Sequence, residues 1–82
     1  MELNILIWPD SVIYTTAKKC CRTLCDLNDR AKKSDVTIEF TGDKITVANF
    51  WRARTHKIAK NIIGDPEKLC ALIGDRIEKA SK

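Results

Sequence analysis

The single histidine, His56, is the residue in this sequence that could act as a general base near neutral pH. A catalytic base must lie within hydrogen-bond reach of a nucleophile, and no acid or thiol stands near His56 in the sequence. The carboxylates are scattered singly, so no pair can be assigned to general acid and base roles. Gly42, Gly64 and Gly74 are isolated, unlike the glycines of a phosphate-binding loop. We therefore expect no catalytic residues and no enzymatic activity.

Four cysteines are the candidate ligands for a metal ion: Cys20, Cys21, Cys25 and Cys70. Cys21 and Cys25 are one helical turn apart, a spacing that two ligands of one ion can use. Structural zinc sites usually combine two separated pairs of ligands, whereas Cys70 stands alone on a distant predicted helix. We interpret the cysteines as reduced thiols that pack in the core beside Leu24, and we expect neither a metal nor another cofactor.

The distribution of positive charge points more directly to a function. The formal net charge is +4, from 15 basic and 11 acidic residues. Two segments carry the excess: 17–33 contains six basic and two acidic residues, and 49–63 contains four basic residues and no acidic one. Such an asymmetry favours an acidic partner or a phosphate backbone, because opposite charges attract and steer association.

The second of these segments is predicted to be a helix with one basic side, formed by Arg52, Arg54, Lys57 and Lys60. Our leading hypothesis is a non-catalytic protein-binding or regulatory module that presents this basic helical face to an acidic partner protein. The alternative is a small nucleic-acid-binding protein that contacts the phosphate backbone through the same face. A solvated helix face with no partner would carry the same charges.

Three short strands are predicted from apolar residues that alternate with other residues. Their apolar positions are Leu3, Ile5 and Ile7, then Val36, Ile38 and Phe40, then Ile45 and Val47. The first strand should end at Trp8-Pro9-Asp10, because proline has no N–H for a sheet ladder. The other two should form a hairpin around a two-residue turn, Gly42-Asp43. In that register the apolar residues face one another: Phe40 with Ile45 and Ile38 with Val47.

Three helices are predicted from apolar residues that recur at intervals of three and four. The first runs from Thr15 or Thr16, either of which can cap it, to about residue 33. The second has Asn49 as its cap and stops at Gly64. The third begins at Asp65-Pro66-Glu67, where aspartate caps, proline takes the first helical position and glutamate lies in the first turn. Their apolar positions are Ala17, Cys20, Cys21, Leu24, Leu27 and Ala31; Trp51, Ile58, Ala59 and Ile62; and Leu69, Cys70, Ile73, Ile77 and Ala80.

The predicted order is strand, helix, strand, strand, helix, helix in a single α+β domain that spans 1–82. We expect a two-layer open-faced sandwich, with a small, mainly antiparallel sheet and the helices on one face. The first strand must pair beside the hairpin, because a lone two-stranded ribbon is only marginally stable. The longest apolar run, 5–8, is far shorter than the roughly 18 residues of a membrane span. With thiols expected to be reduced, we predict a cytoplasmic protein and no membrane association.

Parts of the sequence resemble HPr, the histidine-containing phosphocarrier of the bacterial sugar phosphotransferase system. Lys33-Ser34-Asp35-Val36-Thr37-Ile38, Gly42-Asp43-Lys44 and Val47-Ala48-Asn49 look like the second and third strands of that family. Gly64-Asp65-Pro66-Glu67-Lys68-Leu69 is similar to the start of its acidic-capped last helix. The resemblance implies an HPr-like order of elements over nearly the whole chain.

The resemblance does not extend to the phosphocarrier's chemistry. Ile13-Tyr14-Thr15-Thr16 stands where that family has its phosphorylated histidine, so no phosphohistidine can form there. On an HPr-like scaffold the start of the first helix and the second helix lie side by side as a docking surface for partner proteins. The resemblance therefore implies one binding surface, made of Thr15, Lys18 and Lys19 with Arg52, Arg54 and Lys57.

Overall fold

The computed structural model describes residues 3–81 of the chain. Within this range it contains four strands and four helices: β1 (Ile5–Ile7), α1 (Tyr14–Lys18), α2 (Cys21–Lys33), β2 (Thr37–Thr41), β3 (Lys44–Ala48), β4 (Ala53–Lys57), α3 (Lys60–Ile63) and α4 (Pro66–Ala80). The strands form one mixed sheet, and the helices pack on one side of it. The prediction of an α+β, two-layer open-faced sandwich is confirmed.

The sheet has the strand order β1-β2-β3-β4. β1 lies beside the hairpin, as predicted, and runs parallel to β2. β2 and β3 are antiparallel in the predicted register, with Phe40 opposite Ile45 and Ile38 opposite Val47. Gly42 opens the two-residue turn with a φ of 56°, a left-handed conformation that favours glycine and fits a type II′ turn.

The hydrophobic core lies between the sheet and the helices. Alternate side chains of β2 and β3 point into it, and Ile38, Phe40 and Ile45 are at most 1% exposed. On the helix side the buried residues include Leu27, Ala31, Leu69, Ile73 and Ile77. The core predicted from Val36, Ile38, Phe40, Ile45, Val47 and Leu24 is confirmed, with Leu24 half-buried against it.

The first predicted helix is divided in two. α1 ends at Lys18, and Cys20 leaves helical geometry with φ −129° and ψ 37° before α2 begins. Because this break interrupts the helical repeat, Cys21, one turn after Ala17, does not lie on the same buried face as Ala17. Cys21 and Cys25 are exposed, and the prediction that they pack in the core is wrong. Cys20 is half-buried and does pack against the core.

The prediction of a second helix between Asn49 and Gly64 is wrong. A loop, strand β4 and the short helix α3 occupy 49–63. Asn49 Oδ1 accepts hydrogen bonds from the N–H groups of Trp51 and Arg52, the bonds that an N-cap would make. Here they close a turn instead, because the Asn49 N–H donates back to the Arg52 carbonyl. The chain therefore reverses into β4, which pairs antiparallel with β3. Trp51, predicted on an apolar helix side, is exposed.

The last helix agrees with its prediction. Asp65 Oδ1 accepts hydrogen bonds from the N–H groups of Glu67 and Lys68, and Pro66 takes the first helical position of α4. The predicted stripe of Leu69, Ile73 and Ile77 is buried. Over residues 3–81, every helix is too short or too polar to cross a bilayer.

Candidate basic cleft

β4 is an edge strand whose side chains alternate between the two faces of the sheet. Arg54 stands opposite Val47, and His56 stands opposite Ile45. Directly opposed residues share a face, so Arg54 and His56 project to the helix side of the sheet. Lys57, by the same alternation, projects to the open face.

The end of α4 forms the wall that faces these β4 side chains. Asn49 Nδ2 donates a 2.9 Å hydrogen bond to the Ala80 carbonyl, which ties the β3–β4 loop to the end of α4. The strand, the loop and the helix enclose a cleft of about 350 Å³. We call it the basic cleft; the polar and aromatic side chains that line it are Asn49, Trp51, Arg52, Arg54, His56, Arg76 and Lys79.

The charges of the basic cleft are largely uncompensated. Lys79 Nζ lies 3.2 Å from Asp75 Oδ2, one turn away on α4, and the exposure of both side chains makes this pair weak. Within residues 3–81, Arg52, Arg54 and Arg76 form no ion pair. Like-charged groups lining one cleft repel each other, and a bound anion would relieve that repulsion.

Arg76 has an unusual hydrogen-bonding environment beside the basic cleft. Its Nε is buried and, among the described residues, is the one buried side-chain nitrogen or oxygen without a hydrogen-bond partner. A buried donor with no acceptor costs roughly 1 to 3 kcal/mol, more when the group is charged. Lys79 also complements the helix dipole in the last turn of α4, so the case for an anion rests on Arg76 and the arginines that face it.

The residues predicted as one binding surface lie in separate places. Arg52 and Arg54 line the basic cleft. Lys57 is on the open face of the sheet, opposite Lys44 in the register. Lys60 begins α3. The correction follows from β4, because a strand sends alternate residues to opposite faces, where a helix would have grouped them.

Thr15, Lys18 and Lys19 lie at the other end of the sheet. The segment before α1 is held there by a hydrogen bond from the Val12 N–H to the carbonyl of Gly42, in the β2–β3 turn. Lys18 Nζ stands 4.5 Å from the centroid of the Tyr14 ring, a cation–π contact within α1. The structure does not bring these three residues to Arg52 and Arg54, which lie beside the β3–β4 loop.

Sequence reasoning missed Arg76 and Lys79 as site residues. The segment that contains them, 64–82, has equal numbers of acidic and basic residues, so its charge gives no signal. Only the tertiary packing of α4 brings these two cations into the cleft that Arg54 lines. Arg76 and Lys79 are three residues apart on one helix, so their spacing shows that they share a face of that helix. It does not show which part of the fold that face lies against.

An exposed aromatic pair lies beside the basic cleft. Phe50 is 79% exposed and Trp51 is 82% exposed. Their ring centroids are 5.1 Å apart, with an angle of 82° between the ring planes. Adjacent large aromatic side chains left in water mark a contact surface more often than isolated ones do.

The cysteines form no metal centre within the described part of the chain, where no three His, Cys, Asp or Glu side chains come together. Burial, together with hydrogen bonding to and charge interaction with the Cys70 thiol, raises the pKa of Cys20 to about 11. Cys21 and Cys25 are exposed. The thiols of this chain therefore differ in their access to reagents.

We expect iodoacetamide at pH 8 to label Cys21 and Cys25 well before Cys20, because only the thiolate is nucleophilic. A rise from 9.0 to about 11 lowers the thiolate fraction of Cys20 about a hundredfold. Mass spectrometry of peptides from a labelling time course measures the three rates separately. Equal rates for Cys20 and Cys21 would contradict the partial burial of Cys20 beside Cys70.

Comparison of the chain with protein-family models, with curated proteins and with solved structures finds no match.

Proposed function

We propose that this protein is a non-catalytic binding module that receives an anionic segment of a partner macromolecule in the basic cleft. The observation that carries the proposal is that Arg52, Arg54 and Arg76 line one cleft and, within residues 3–81, none of them forms an ion pair. An anion placed there would pair with these guanidinium groups and balance their charges. An acidic protein or a nucleic acid supplies such a group, as the charge of the sequence predicts.

The lining of the cleft supports binding without catalysis. His56 is the one imidazole in that lining. The described lining holds no carboxylate, hydroxyl or thiol beside it to act as a nucleophile or as a second acid–base group. Guanidinium groups stay protonated and bind anions in a bidentate geometry, which suits recognition.

The proposal is tested by reversing one charge on each face of β4. Arg54→Glu places a carboxylate in the basic cleft, whereas Lys57→Glu makes the same change on the open face. We expect Arg54→Glu to weaken binding of inorganic polyphosphate by about tenfold or more, because like charges across an interface repel. Lys57→Glu should change it much less. Isothermal titration calorimetry at two salt concentrations measures both, and affinity should fall with salt.

Both side chains are exposed, so neither reversal should alter the melting temperature by more than a few degrees. Equal losses of affinity in the two variants would show that net charge, and not the cleft, governs polyphosphate binding. That result would refute the proposal.

A further inference from the structure

We infer that the anionic partner is a single-stranded nucleic acid, whose phosphates lie in the basic cleft and whose bases stack on Trp51 and Phe50. The inference rests on the proposed function and adds the class of the partner. It draws on a second observation, the aromatic pair, which anion binding alone does not explain. Sequence-tolerant binding of single strands combines such a positive groove with aromatic side chains on which bases stack.

The aromatic pair is held in place by the turn that precedes β4. The Trp51 N–H donates a 2.8 Å hydrogen bond to Asn49 Oδ1, and the Arg52 N–H donates a 2.9 Å bond to the same atom. Asn49 is in turn fixed to the end of α4 through the Ala80 carbonyl. The Trp51 backbone is therefore preorganised, and stacking on its ring costs little ordering of the loop.

Trp51 belongs to the lining of the basic cleft as well as to the aromatic pair. Its neighbours Arg52 and Arg54 lie one and three residues further along the chain. A nucleotide has a charged phosphate and a flat base about one sugar apart, so one nucleotide can meet an arginine and the indole together. This adjacency of cation and ring is the arrangement that a strand of nucleotides requires.

The same geometry disfavours a duplex. In a double helix the bases are stacked on each other and paired, so they offer no free face to Trp51. A duplex would use only the phosphate contacts, and the aromatic pair would stay in water. Unpaired bases cover both rings and leave the phosphates free for the arginines.

An acidic protein is the competing partner. Its carboxylates could pair with Arg54 and Arg76, but those contacts give no role to two aromatic rings that are about four-fifths exposed. The discriminating property is therefore the dependence of affinity on the base. A carboxylate ligand has no base, and an abasic strand has the phosphates alone.

The test measures fluorescence anisotropy with four labelled probes: an oligothymidylate of about ten nucleotides, an abasic strand of the same length, a duplex of that length and a polyglutamate peptide of similar charge. We expect the oligothymidylate to bind most tightly. Trp51→Ala should weaken oligothymidylate binding by about 5- to 150-fold, the range for losing one stacked base, and leave the abasic strand nearly unaffected. Phe50→Ala should act in the same direction.

Trp8→Ala is the matched control, since Trp8 lies on the open face, where its Nε1 donates a hydrogen bond to Glu39. It should leave all four affinities unchanged. Circular dichroism of each variant verifies that the fold is kept, which the exposure of Trp51 favours.

The outcomes separate this inference from the proposed function. The single-strand inference is refuted if polyglutamate or the duplex binds as tightly as the oligothymidylate. It is also refuted if Trp51→Ala leaves the affinity for both the oligothymidylate and the abasic strand unchanged. The proposed function survives that result as long as Arg54→Glu still weakens the probe that binds. If no probe responds to Arg54→Glu, both are refuted.

Discussion

Replacing Ile38 with alanine should lower the free energy of unfolding by about 2 to 5 kcal/mol. Ile38 is fully buried at the centre of the sheet, with Ile5 opposite it on β1 and Val47 opposite it on β3. Neighbours on both sides prevent the strand from collapsing into the space left by the lost carbons. A domain of this size has roughly 5 kcal/mol or somewhat more to lose, so the variant should be close to unfolding at room temperature.

Urea denaturation of the wild type and of two variants measures this loss. Leu24→Ala is the comparison, because Leu24 packs against the same core but is only half-buried. Its cost should be clearly smaller than that of Ile38→Ala, since truncating it removes less buried surface and leaves no closed cavity. A loss below about 1 kcal/mol for Ile38→Ala would mean that the faces of β2 are assigned the wrong way round.

The sheet core was predictable from sequence because two independent constraints agree there. Alternation of apolar residues fixes the face of each strand, and a two-residue turn at Gly42 fixes the register of the hairpin. A slip of one residue would have sent Ile38 and Phe40 to the open face. The start of α4 was predictable for a similar reason, since Asp65, Pro66 and Glu67 each favour the same boundary.

β4 was not predictable because it lacks the signal on which strand prediction depends. Its inward residues, Arg54 and His56, are polar, since they face an open cleft where an inner strand would face the core. Alternation then leaves no trace in the hydrophobicity of the segment. Asn49 makes helix and turn harder to distinguish from sequence. In both structures its side chain accepts hydrogen bonds from the N–H groups of following residues.

Only part of the basic cleft was predictable from sequence, because its arginines are far apart along the chain. Arg52 and Arg54 belong to a segment with no acidic residue, so composition marks them. Arg76 lies more than twenty residues away in a segment of balanced charge, and nothing local distinguishes it from a solvated helix face. Its role depends on which side of α4 meets the sheet edge, a property of tertiary packing.

The start of β1 is held by a side chain whose role is not evident from the sequence. Asn28, on α2, accepts two 2.8 Å hydrogen bonds at Oδ1, from the N–H groups of Asn4 and Ile5. Asn4 Nδ2 in turn donates a 3.0 Å bond to the Val36 carbonyl, and the Ile38 N–H donates to the Asn4 carbonyl. This network joins α2 to the start of β1 and to the segment that enters β2. β1 needs such support because a strand of three residues makes few hydrogen bonds to its neighbour in the sheet.

Replacing Asn28 with alanine should therefore lower the free energy of unfolding by about 1 to 3 kcal/mol, because two partly buried N–H groups lose their acceptor. Amide hydrogen exchange at Asn4 and Ile5 should accelerate more than exchange in the β2–β3 hairpin. Asn28→Asp is the matched control: it keeps an oxygen at the same position, and over residues 3–81 the Asn28 amide nitrogen makes no hydrogen bond that the change would break. The aspartate variant should retain most of the stability and most of the protection, since a carboxylate accepts both bonds at least as well. Equal losses for the alanine and aspartate variants would show that Asn28 acts through its packing on α2 and not through the two bonds to β1.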